Sequence, residues 1–461
     1  MPLLGAYIVP HPPIIVPEIG KGEEIKIRKT TESYHKAARQ IAALKPDTIV
    51  VTSPHTIMYS DYFHIAPGRA AKGNFAQFGA KQVSFQAEYD EELVETLEAL
   101  AEREGIEAGT LGEKDPSLDH GTMVPLYFIN QYSKDYKLVR IGLSGLSIPE
   151  HYRLGKCIAR AAEKQNRRIV FVASGDLSHK LKEDGPYGFA KEGPQFDEEV
   201  TEAMAKGDFL RFMEFSPDFC EAAAECGLRS FVIMAGALNN LAVKPTLLSY
   251  EGPFGVGYAV CTYEITGEDE NRNFDQIFEA KQRAIALENQ KKEDPYVKLA
   301  RFSLETYITT GKYAKLPEEL MEEMRSRKAG VFVSLKKYGQ LRGCIGTISP
   351  VTGSVAEEIL RNAVSAGAWD PRFPPVAKEE LPELVYSVDV LAEPERIESM
   401  EELDVRRYGV IVTSGRKRGL LLPNLEGVES VRQQVAIARK KAGIYDTEAF
   451  TMERFEVVRH Y

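Results

Sequence analysis

Apolar residues in the first part of the chain form short, nearly unbroken runs, and the stretches between them have helical periodicity. The runs LLGAYIV (3–9), DTIVVTS (47–53), KLVRIGL (137–143) and RIVFVAS (168–174) are rich in aliphatic, often β-branched residues. Such runs are typical of strands buried in a sheet, and strands that alternate with helices predict a layered domain. We therefore predict a layered α/β N-terminal domain, with GYAVCTYEI (257–265) as a late edge strand.

The pattern changes after about residue 266. Residues 267–276 are polar and acidic, and residues 286–295 are highly charged, which predicts a charged, partly helical linker over 267–294. A surface helix of the following domain is an equal alternative for its second half. Further on, VFVSLKKYGQLRGCIGTI (331–348) and YGVIVTSGRKRGLLLP (408–423) indicate hairpins. The predicted domains are thus 1–266 and a smaller α+β domain over 295–461.

Composition and charge narrow the class of protein. The net charge of −10 argues against a general nucleic-acid binder, because a polyanion requires a basic surface. The five cysteines are scattered without a CxxC pair, which favours reduced thiols over disulfides or a structural zinc site. No run of about 18 apolar residues and no signal-peptide pattern occurs, so we expect a cytoplasmic protein without a membrane span.

Four of the eight histidines stand in loops beside the apolar runs. His11, His55 and His179 each follow a predicted strand, and His120 precedes a short apolar run. In parallel α/β sheets, ligands and catalytic groups gather beyond the carboxyl ends of the strands. The pattern predicts one shared site, and the remaining histidines are expected to be structural or on the surface: His35, His64, His151 and His460.

Prolines stiffen the backbone at two of these histidines, in VPHPP (9–13) and SPH (53–55). Rigid histidines at neighbouring strand ends can converge on one metal ion. Two histidines with one carboxylate form the facial triad of non-heme Fe(II) sites. Residues 219–241 read as one helix, and Glu225 lies in its early part, where the helix dipole favours an ionised carboxylate. Spacing alone does not separate Glu225 from Glu221.

The short motifs VPHPP, SPH, DHG, GDLSH and AECG, taken in this order, resemble the class III extradiol dioxygenase superfamily of LigB type over roughly residues 1–265. The resemblance implies an α/β fold with a mixed sheet flanked by helices. It also implies a mononuclear Fe(II) centre with His11, His55 and Glu225 as ligands. Mn(II) and Zn(II) are alternatives, because affinity order alone does not decide which metal is bound. The Memo family shares this fold with altered metal ligands, and a Glu225 ligand would place the chain nearer the dioxygenases.

The same resemblance implies an enzyme, an oxidoreductase that opens the ring of a catecholic or related small molecule. It gives His120 and His179 the role of an acid–base pair outside the metal ligands. We expect His179 to have an ordinary pKa of about 6.5. Asp119 and Asp176 are near these histidines in sequence and are predicted to orient the two imidazoles, as carboxylates near metal sites do. Capping of a turn is an equal alternative for each aspartate.

In the second half, LRGCIG within residues 338–350, AWDPRFPPV (368–376) and the later hairpin resemble the AMMECR-type domain over about 295–461. A fusion of these two domain types resembles the AmmeMemoRadiSam system, which implies a radical SAM protein as partner. The alternative function is therefore a metal-binding or interaction protein without dioxygenase turnover. Cys344 and Arg342 form a candidate second site, because a nearby cation favours a thiolate, and ordinary burial of the cysteine is the competing interpretation.

Overall fold

The protein is described from a computed structural model that covers residues 2–425, 427–445 and 447–461. The chain forms two compact units, the first ending at Phe278 and the second spanning Glu279–Tyr461. The first is a mixed α/β unit and the second a smaller α+β unit with antiparallel sheets, so both predicted fold classes are confirmed. Among the described residues, no helix has the length and apolar character needed to cross a membrane.

The first unit is built on a six-stranded sheet in the order β7-β2-β8-β1-β10-β9. Strands β7, β2, β8 and β1 run parallel, and β10 and β9 are antiparallel, so the predicted mixed sheet is confirmed. Strands β3 with β6 and β4 with β5 form two small additional sheets. The strands are β1 (Leu3–Val9), β2 (Thr48–Ser53), β3 (Phe63–His64), β4 (Ala70–Phe75), β5 (Ala80–Glu88), β6 (Ala108–Gly109), β7 (Lys137–Gly142), β8 (Ile169–Ser174), β9 (Leu241–Glu251) and β10 (Tyr258–Glu268).

The helices of the first unit lie between these strands. They are α1 (Pro17–Gly20), α2 (Arg28–Leu44), α3 (Glu91–Arg103), α4 (His120–Ile129), α5 (Ile148–Lys164), α6 (Glu192–Lys206), α7 (Phe209–Glu214), α8 (Pro217–Ala223) and α9 (Leu228–Ala237). Every residue of β2 and β8 is buried, as their unbroken apolar runs predict.

Strand β10 is not the edge strand that its sequence indicates. It pairs with β1 on one side and with β9 on the other, and β9 forms the edge. Strand β9 is not predicted from the sequence, because buried and exposed residues alternate only weakly along it. Its first residue, Leu241, also falls within the helix predicted over 219–241.

Two glycines allow α5 and α9 to approach closely. A Cβ atom at Gly155 would lie 2.0 Å from the carbonyl oxygen of Ile233, and one at Gly236 would lie 1.9 Å from that of Tyr152. Only glycine leaves room for backbones at this distance. The contact fixes α9, whose first turn follows directly after Cys226 and Gly227.

The second unit contains two four-stranded antiparallel sheets, in the orders β12-β11-β13-β18 and β14-β17-β15-β16. Both predicted hairpins are present, as β11 with β12 and as β15 with β16. The strands are β11 (Val331–Lys337), β12 (Gln340–Gly346), β13 (Leu384–Leu391), β14 (Glu395–Ile397), β15 (Gly409–Ser414), β16 (Lys417–Leu421), β17 (Thr451–Phe455) and β18 (Val457–His460).

Helix α10 (Phe274–Lys292) occupies much of the segment that composition indicates as a linker. The helices that follow are α11 (Pro295–Thr310), α12 (Glu322–Ser326), α13 (Val355–Ala368) and α14 (Val431–Ala442). Helices α11 and α13 pack on the sheet that contains β11 and β13, and their apolar side chains form the main core of this unit.

Candidate metal centre

The four histidines singled out by the sequence lie around one cavity of about 520 Å³ in the first unit. Strands β2, β8 and β1 are neighbours in the sheet, so the loops that carry His55, His179 and His11 leave it at the same edge. The Nε2 atoms of His11 and His55 are 2.9 Å apart. The ring centroid of His120 lies 4.0 Å from that of His55 and 5.5 Å from that of His11.

The third group at this point is a thiol. The Sγ atom of Cys226 lies 3.7 Å from Nε2 of His11, and ligand atoms of His11, His55 and Cys226 all lie within 4.8 Å of one another. The carboxylate of Glu225 is directed elsewhere, since it accepts a hydrogen bond of 2.7 Å from the backbone N–H of Leu228. The structure therefore offers Cys226, and not the predicted Glu225, as the third ligand atom.

Glu225 is directed away from the centre because the single helix predicted over 219–241 is in fact two helices, α8 and α9. Helix α8 ends at Ala223, and Ala224 adopts a left-handed conformation with φ of 52°. Helix α9 then begins at Leu228, so Glu225 lies in the break and caps the start of α9. In the sequence, the residue that could have indicated this break is Gly227, which follows Cys226 in the AECG motif. Glu221, the other candidate carboxylate, lies on α8 outside the ligand group.

The break also fixes His179. Its Nδ1 atom lies 2.6 Å from the carbonyl oxygen of Ala224 and donates a hydrogen bond to it. The backbone N–H of His179 donates to the carbonyl of Ala223. A neutral imidazole has one N–H, so this arrangement leaves Nε2 of His179 as a proton acceptor.

The two aspartates predicted to orient the histidine rings bind other groups. Asp119 accepts hydrogen bonds from the hydroxyl of Ser53 at 2.5 Å and from the backbone N–H of Thr122 at 3.0 Å, so it caps α4 at the residue before His120. Asp176 accepts a hydrogen bond of 2.8 Å from the backbone N–H of His11. Asp176 thus holds the backbone of His11, and Asp119 caps the helix that begins with His120. Among the described residues, no hydrogen bond links either carboxylate to the ring of His120 or His179.

Burial keeps the imidazoles neutral. It lowers the pKa of His11 far below its usual value, with further lowering by the neighbouring histidines. Burial also lowers the pKa of His120 to about 4, and the pKa of His179 is lowered for the same reason, in contrast to the ordinary value expected from the sequence. Neutral imidazoles at pH 7 provide the lone pairs that metal binding and proton acceptance require.

The acidic groups beside the centre are shifted in the opposite direction. Burial raises the pKa of Asp176 to about 7 and raises the pKa of the Cys226 thiol well above its usual value, with Asp176 and Glu225 adding to the latter shift. A positive charge at the centre would oppose these shifts, because a cation favours the deprotonated form of a thiol or carboxyl group.

The outer wall of the cavity is largely apolar. Prolines and aliphatic or aromatic side chains face the histidines, and Lys182 and Asp184 lie at the wall. Tyr187 stands edge-on to His179, with ring centroids 5.1 Å apart. A polar floor with apolar walls is typical of sites for small molecules. The apolar and aromatic lining residues are Pro12, Pro13, Ile14, Pro186, Tyr187, Pro253, Phe254, Val256 and Tyr258.

In the second unit, Cys344 and Arg342 do not form the expected pair. Arg342 makes two hydrogen bonds to the carboxylate of Glu380, at 3.0 and 2.8 Å. Cys344 instead accepts a hydrogen bond of 3.2 Å from the hydroxyl of Ser334, and its backbone N–H binds Asp370. Burial raises the pKa of the Cys344 thiol, which favours the neutral form and argues against an activated nucleophile.

The pair of Arg342 and Glu380 leads to a prediction about pH. Burial alone would raise the pKa of Glu380, but the hydrogen bonds from Arg342, with other contacts, lower the pKa to about 2. An ordinary Glu has a pKa of about 4.3, so the ionised carboxylate stabilises the fold above about pH 4.3, and this stabilisation is lost as the pH falls toward 2. We expect Glu380→Gln to lower the free energy of unfolding at pH 7, with the difference from wild type shrinking over that window in chemical denaturation.

The matched control for this prediction is Glu379→Gln, one residue away and exposed. It should leave the free energy of unfolding nearly unchanged at every pH. A deficit of Glu380→Gln that stayed constant down to pH 2 would contradict the role given to the ionised carboxylate.

The fold and the site define a class of protein: an α/β domain with a histidine-rich centre at the carboxyl edge of its sheet, fused to an α+β domain. The family described as the catalytic LigB subunit of aromatic ring-opening dioxygenase matches residues 5–261, and the AMMECR1 family matches residues 297–460. The chain therefore belongs to the LigB family, with an AMMECR1 domain in its second half. The predicted family resemblance is confirmed for both halves.

Relatives match the chain over different lengths. Protein CA_C1420 of Clostridium acetobutylicum is 48% identical over 471 residues, covering 100% of this chain and 99% of its own. A protein of Thermotoga maritima is 47% identical over 171 residues, covering 36% of this chain and 98% of its own. Among solved structures, protein PH0010 of Pyrococcus horikoshii is 34% identical and covers 36% of this chain and 88% of its own, with a TM-score of 0.33.

Proposed function

We propose that the first unit is a metal-dependent oxidoreductase related to the ring-opening dioxygenases, acting on a catecholic or similar small molecule. The observation that supports this most directly is the convergence of the Nε2 atoms of His11 and His55 and the Sγ atom of Cys226 within 4.8 Å. These three side chains come from segments far apart in sequence, and burial favours the neutral form of His11.

The donor set fits a transition metal. Imidazole nitrogen binds Fe, Cu and Zn, and thiolate is a softer ligand that binds Fe, Cu(I) and Zn. His11, His55 and Cys226 would hold the ion, with Fe(II) as the first choice and Mn(II) or Zn(II) as alternatives. When bound, such a metal would act as a Lewis acid and template that lowers the pKa of a coordinated substrate hydroxyl.

The chain's own residues would provide binding and proton transfer. The aromatic and proline-rich wall would enclose a flat apolar ring and exclude water from it. His179 would accept a proton at Nε2, because its Nδ1–H is held by Ala224. His120, neutral at pH 7 because its pKa is about 4, would accept a second proton. Such proton transfer typically contributes about 10²–10⁴-fold to the rate.

One observation favours a second candidate function. A thiol occupies the position where the facial triad of non-heme oxygenases has a carboxylate. The protein would then bind a metal, or a partner such as a radical SAM protein, without dioxygenase turnover. All five cysteines are free, which supports a reducing compartment such as the cytoplasm for either function.

Anaerobic metal analysis of wild type and His11→Ala, followed by oxygen-electrode assays with a panel of catechols, tests both candidates. We expect wild type to retain about one transition metal per chain and His11→Ala to lose it, because one of three ligands is removed. Oxygen consumption that depends on both the metal and a catechol would support the first candidate.

Metal binding without oxygen uptake on any catechol would support the second candidate function, binding without dioxygenase turnover. Absence of stoichiometric metal from wild type reconstituted with Fe(II), Mn(II) or Zn(II) would contradict both.

A further inference from the structure

We infer that Ser174 is a positioning residue of the candidate metal centre: its hydroxyl fixes the protonated nitrogen of His11 and so directs the lone pair of Nε2 toward the ligand group. This inference rests on the proposed function for its purpose, but not for its geometry. Ser174 is the last residue of β8, and both it and His11 are buried.

Two distances place the hydroxyl between two partners. The Oγ atom of Ser174 lies 2.6 Å from the carbonyl oxygen of Gly121 and 3.0 Å from Nδ1 of His11. A hydroxyl has one proton to donate, and a carbonyl oxygen can only accept. The proton of Ser174 is therefore donated to Gly121, and Ser174 can only accept a hydrogen bond from His11.

The sequence explains why Gly121 needs this donor. In helix α4 the carbonyl of Gly121 would normally accept from the backbone N–H four residues later, but that residue is Pro125, which has no N–H. A buried carbonyl without a partner costs free energy, so the hydroxyl of Ser174 takes the place of the missing helical donor. The direction of the hydrogen bond is thus set by the proline.

The consequence for His11 follows from the chemistry of imidazole. A neutral ring has one N–H. Because Ser174 accepts a hydrogen bond from the His11 ring, that proton is on Nδ1. Nε2 is then an acceptor, and it is the atom that lies 2.9 Å from His55 Nε2 and 3.7 Å from Cys226 Sγ. The backbone at His11 is also held, because its N–H donates a hydrogen bond to Asp176.

The same hydroxyl connects the two parts of the site. Gly121 follows His120 in α4, so one side chain links a candidate ligand to the helix that begins with a candidate proton acceptor. Packing there is tight, since a Cβ atom at Gly121 would lie 2.4 Å from Oγ of Ser53. Ser174 therefore acts through His11 and α4, without itself joining the ligand group.

The first test reads the tautomer directly in the metal-free, full-length protein. With ¹⁵N-labelled histidine, long-range ¹H–¹⁵N spectra should show His11 protonated at Nδ1 and unprotonated at Nε2, with the signals assigned by their loss in His11→Gln. In Ser174→Ala the ring should shift toward the Nε2–H form, and Ser174→Thr, which keeps the hydroxyl, should restore the Nδ1–H form. Wild-type His11 protonated at Nε2, or an unchanged tautomer in Ser174→Ala, would overturn the inference.

The second test measures metal affinity by competition with a chelator, using Fe(II), Mn(II) and Zn(II) as probes. Loss of a partner that orients a metal-binding histidine typically lowers affinity by about 10- to 100-fold, which we expect for Ser174→Ala and not for Ser174→Thr. The matched control is Ser230→Ala, since Ser230 is equally buried and its hydroxyl has no hydrogen-bond partner among the described residues. Equal affinity in Ser174→Ala and wild type would count against the inference.

The two readouts separate this inference from the proposed function. A wild type that binds none of the three metals would contradict the proposed function, whereas the tautomer of metal-free His11 would still decide the role of Ser174. If Ser174→Ala failed to fold, the wild-type tautomer would decide it alone, because protonation at Nε2 is incompatible with the hydrogen-bond directions given above.

Discussion

Replacing Cys226 by serine is expected to lower the affinity of the centre for a transition metal more strongly than loss of an orienting partner, by more than about 100-fold. The thiol is one of three groups whose ligand atoms converge, and a serine hydroxyl is a poor substitute for a thiolate as a ligand of Fe, Cu or Zn. Glu225→Gln should leave metal affinity nearly unchanged. Glutamine can still accept the hydrogen bond from Leu228, so the cap on α9 is kept.

These neighbouring substitutions form a sharp comparison, because both lie in the same break between helices. Chelator competition and metal analysis of the two variants, each checked for thermal stability, give the measurement. If Glu225→Gln lost the metal and Cys226→Ser kept it, the carboxylate would be the ligand and the geometry described here would be wrong for the metal-bound protein.

The identity of the third ligand affects the choice between the two functional candidates. A carboxylate gives the hard, open coordination typical of Fe(II) oxygenases, whereas a thiolate gives a softer centre that also suits Cu(I) or Zn. The LigB family match supports oxidoreductase chemistry, and the Cys226 side chain gives a physical reason to test for metal binding without turnover. The metal retained by wild type and its oxygen uptake together separate these outcomes.

Features with a local sequence signal could be predicted. The buried strands β1, β2, β7 and β8 follow from unbroken apolar runs, because a parallel sheet is covered on both faces. The gathering of His11, His55 and His179 follows from their places after such strands. In these cases a short segment determines both the strand and the edge of the sheet at which the following loop leaves it.

Features that depend on contacts between distant segments could not be predicted. Helical periodicity continues through residues 219–241 and Gly227 alone does not locate its end, whereas the packing of α9 against α5 and the cap by Glu225 show where the break lies. A shift of one residue then exchanges Glu225 for Cys226 at the centre. The role of Ser174 depends on a proline in α4 and a ring after β1, and no spacing in the sequence connects these three segments.

The charged segment before residue 295 likewise has a role in stability that its local sequence does not predict. Its composition resembles a solvated linker, but Glu293 is only 5% exposed and belongs to the second unit. Its carboxylate binds Nε of Arg301 at 3.0 Å, and the guanidinium of Arg301 lies 4.3 Å from the ring centre of Tyr386. Arg301 also donates a hydrogen bond to the carbonyl of Leu384.

Glu293→Ala is therefore expected to destabilise the second unit by about 3–5 kcal/mol, the usual cost of removing one partner of a buried ion pair. The substitution leaves the guanidinium of Arg301, 7% exposed, without its main countercharge. Chemical denaturation followed by tryptophan fluorescence measures the effect, because the chain has one tryptophan and Trp369 lies in this unit. Hydrogen exchange of α11 provides an independent readout of the same opening.

Glu288→Ala is the matched control, since it removes the same side chain from α10 at a position where the carboxylate is 55% exposed. Its pair with Lys291 is a surface contact between residues three apart, for which a change of less than about 1 kcal/mol is typical. Equal small losses in the two variants would mean that Glu293 behaves as a solvated linker residue, as its composition suggests. A large loss confined to Glu293→Ala, with protection from exchange reduced in α11, would mean that the fold of the second unit depends on this charged segment, which is part of the unit.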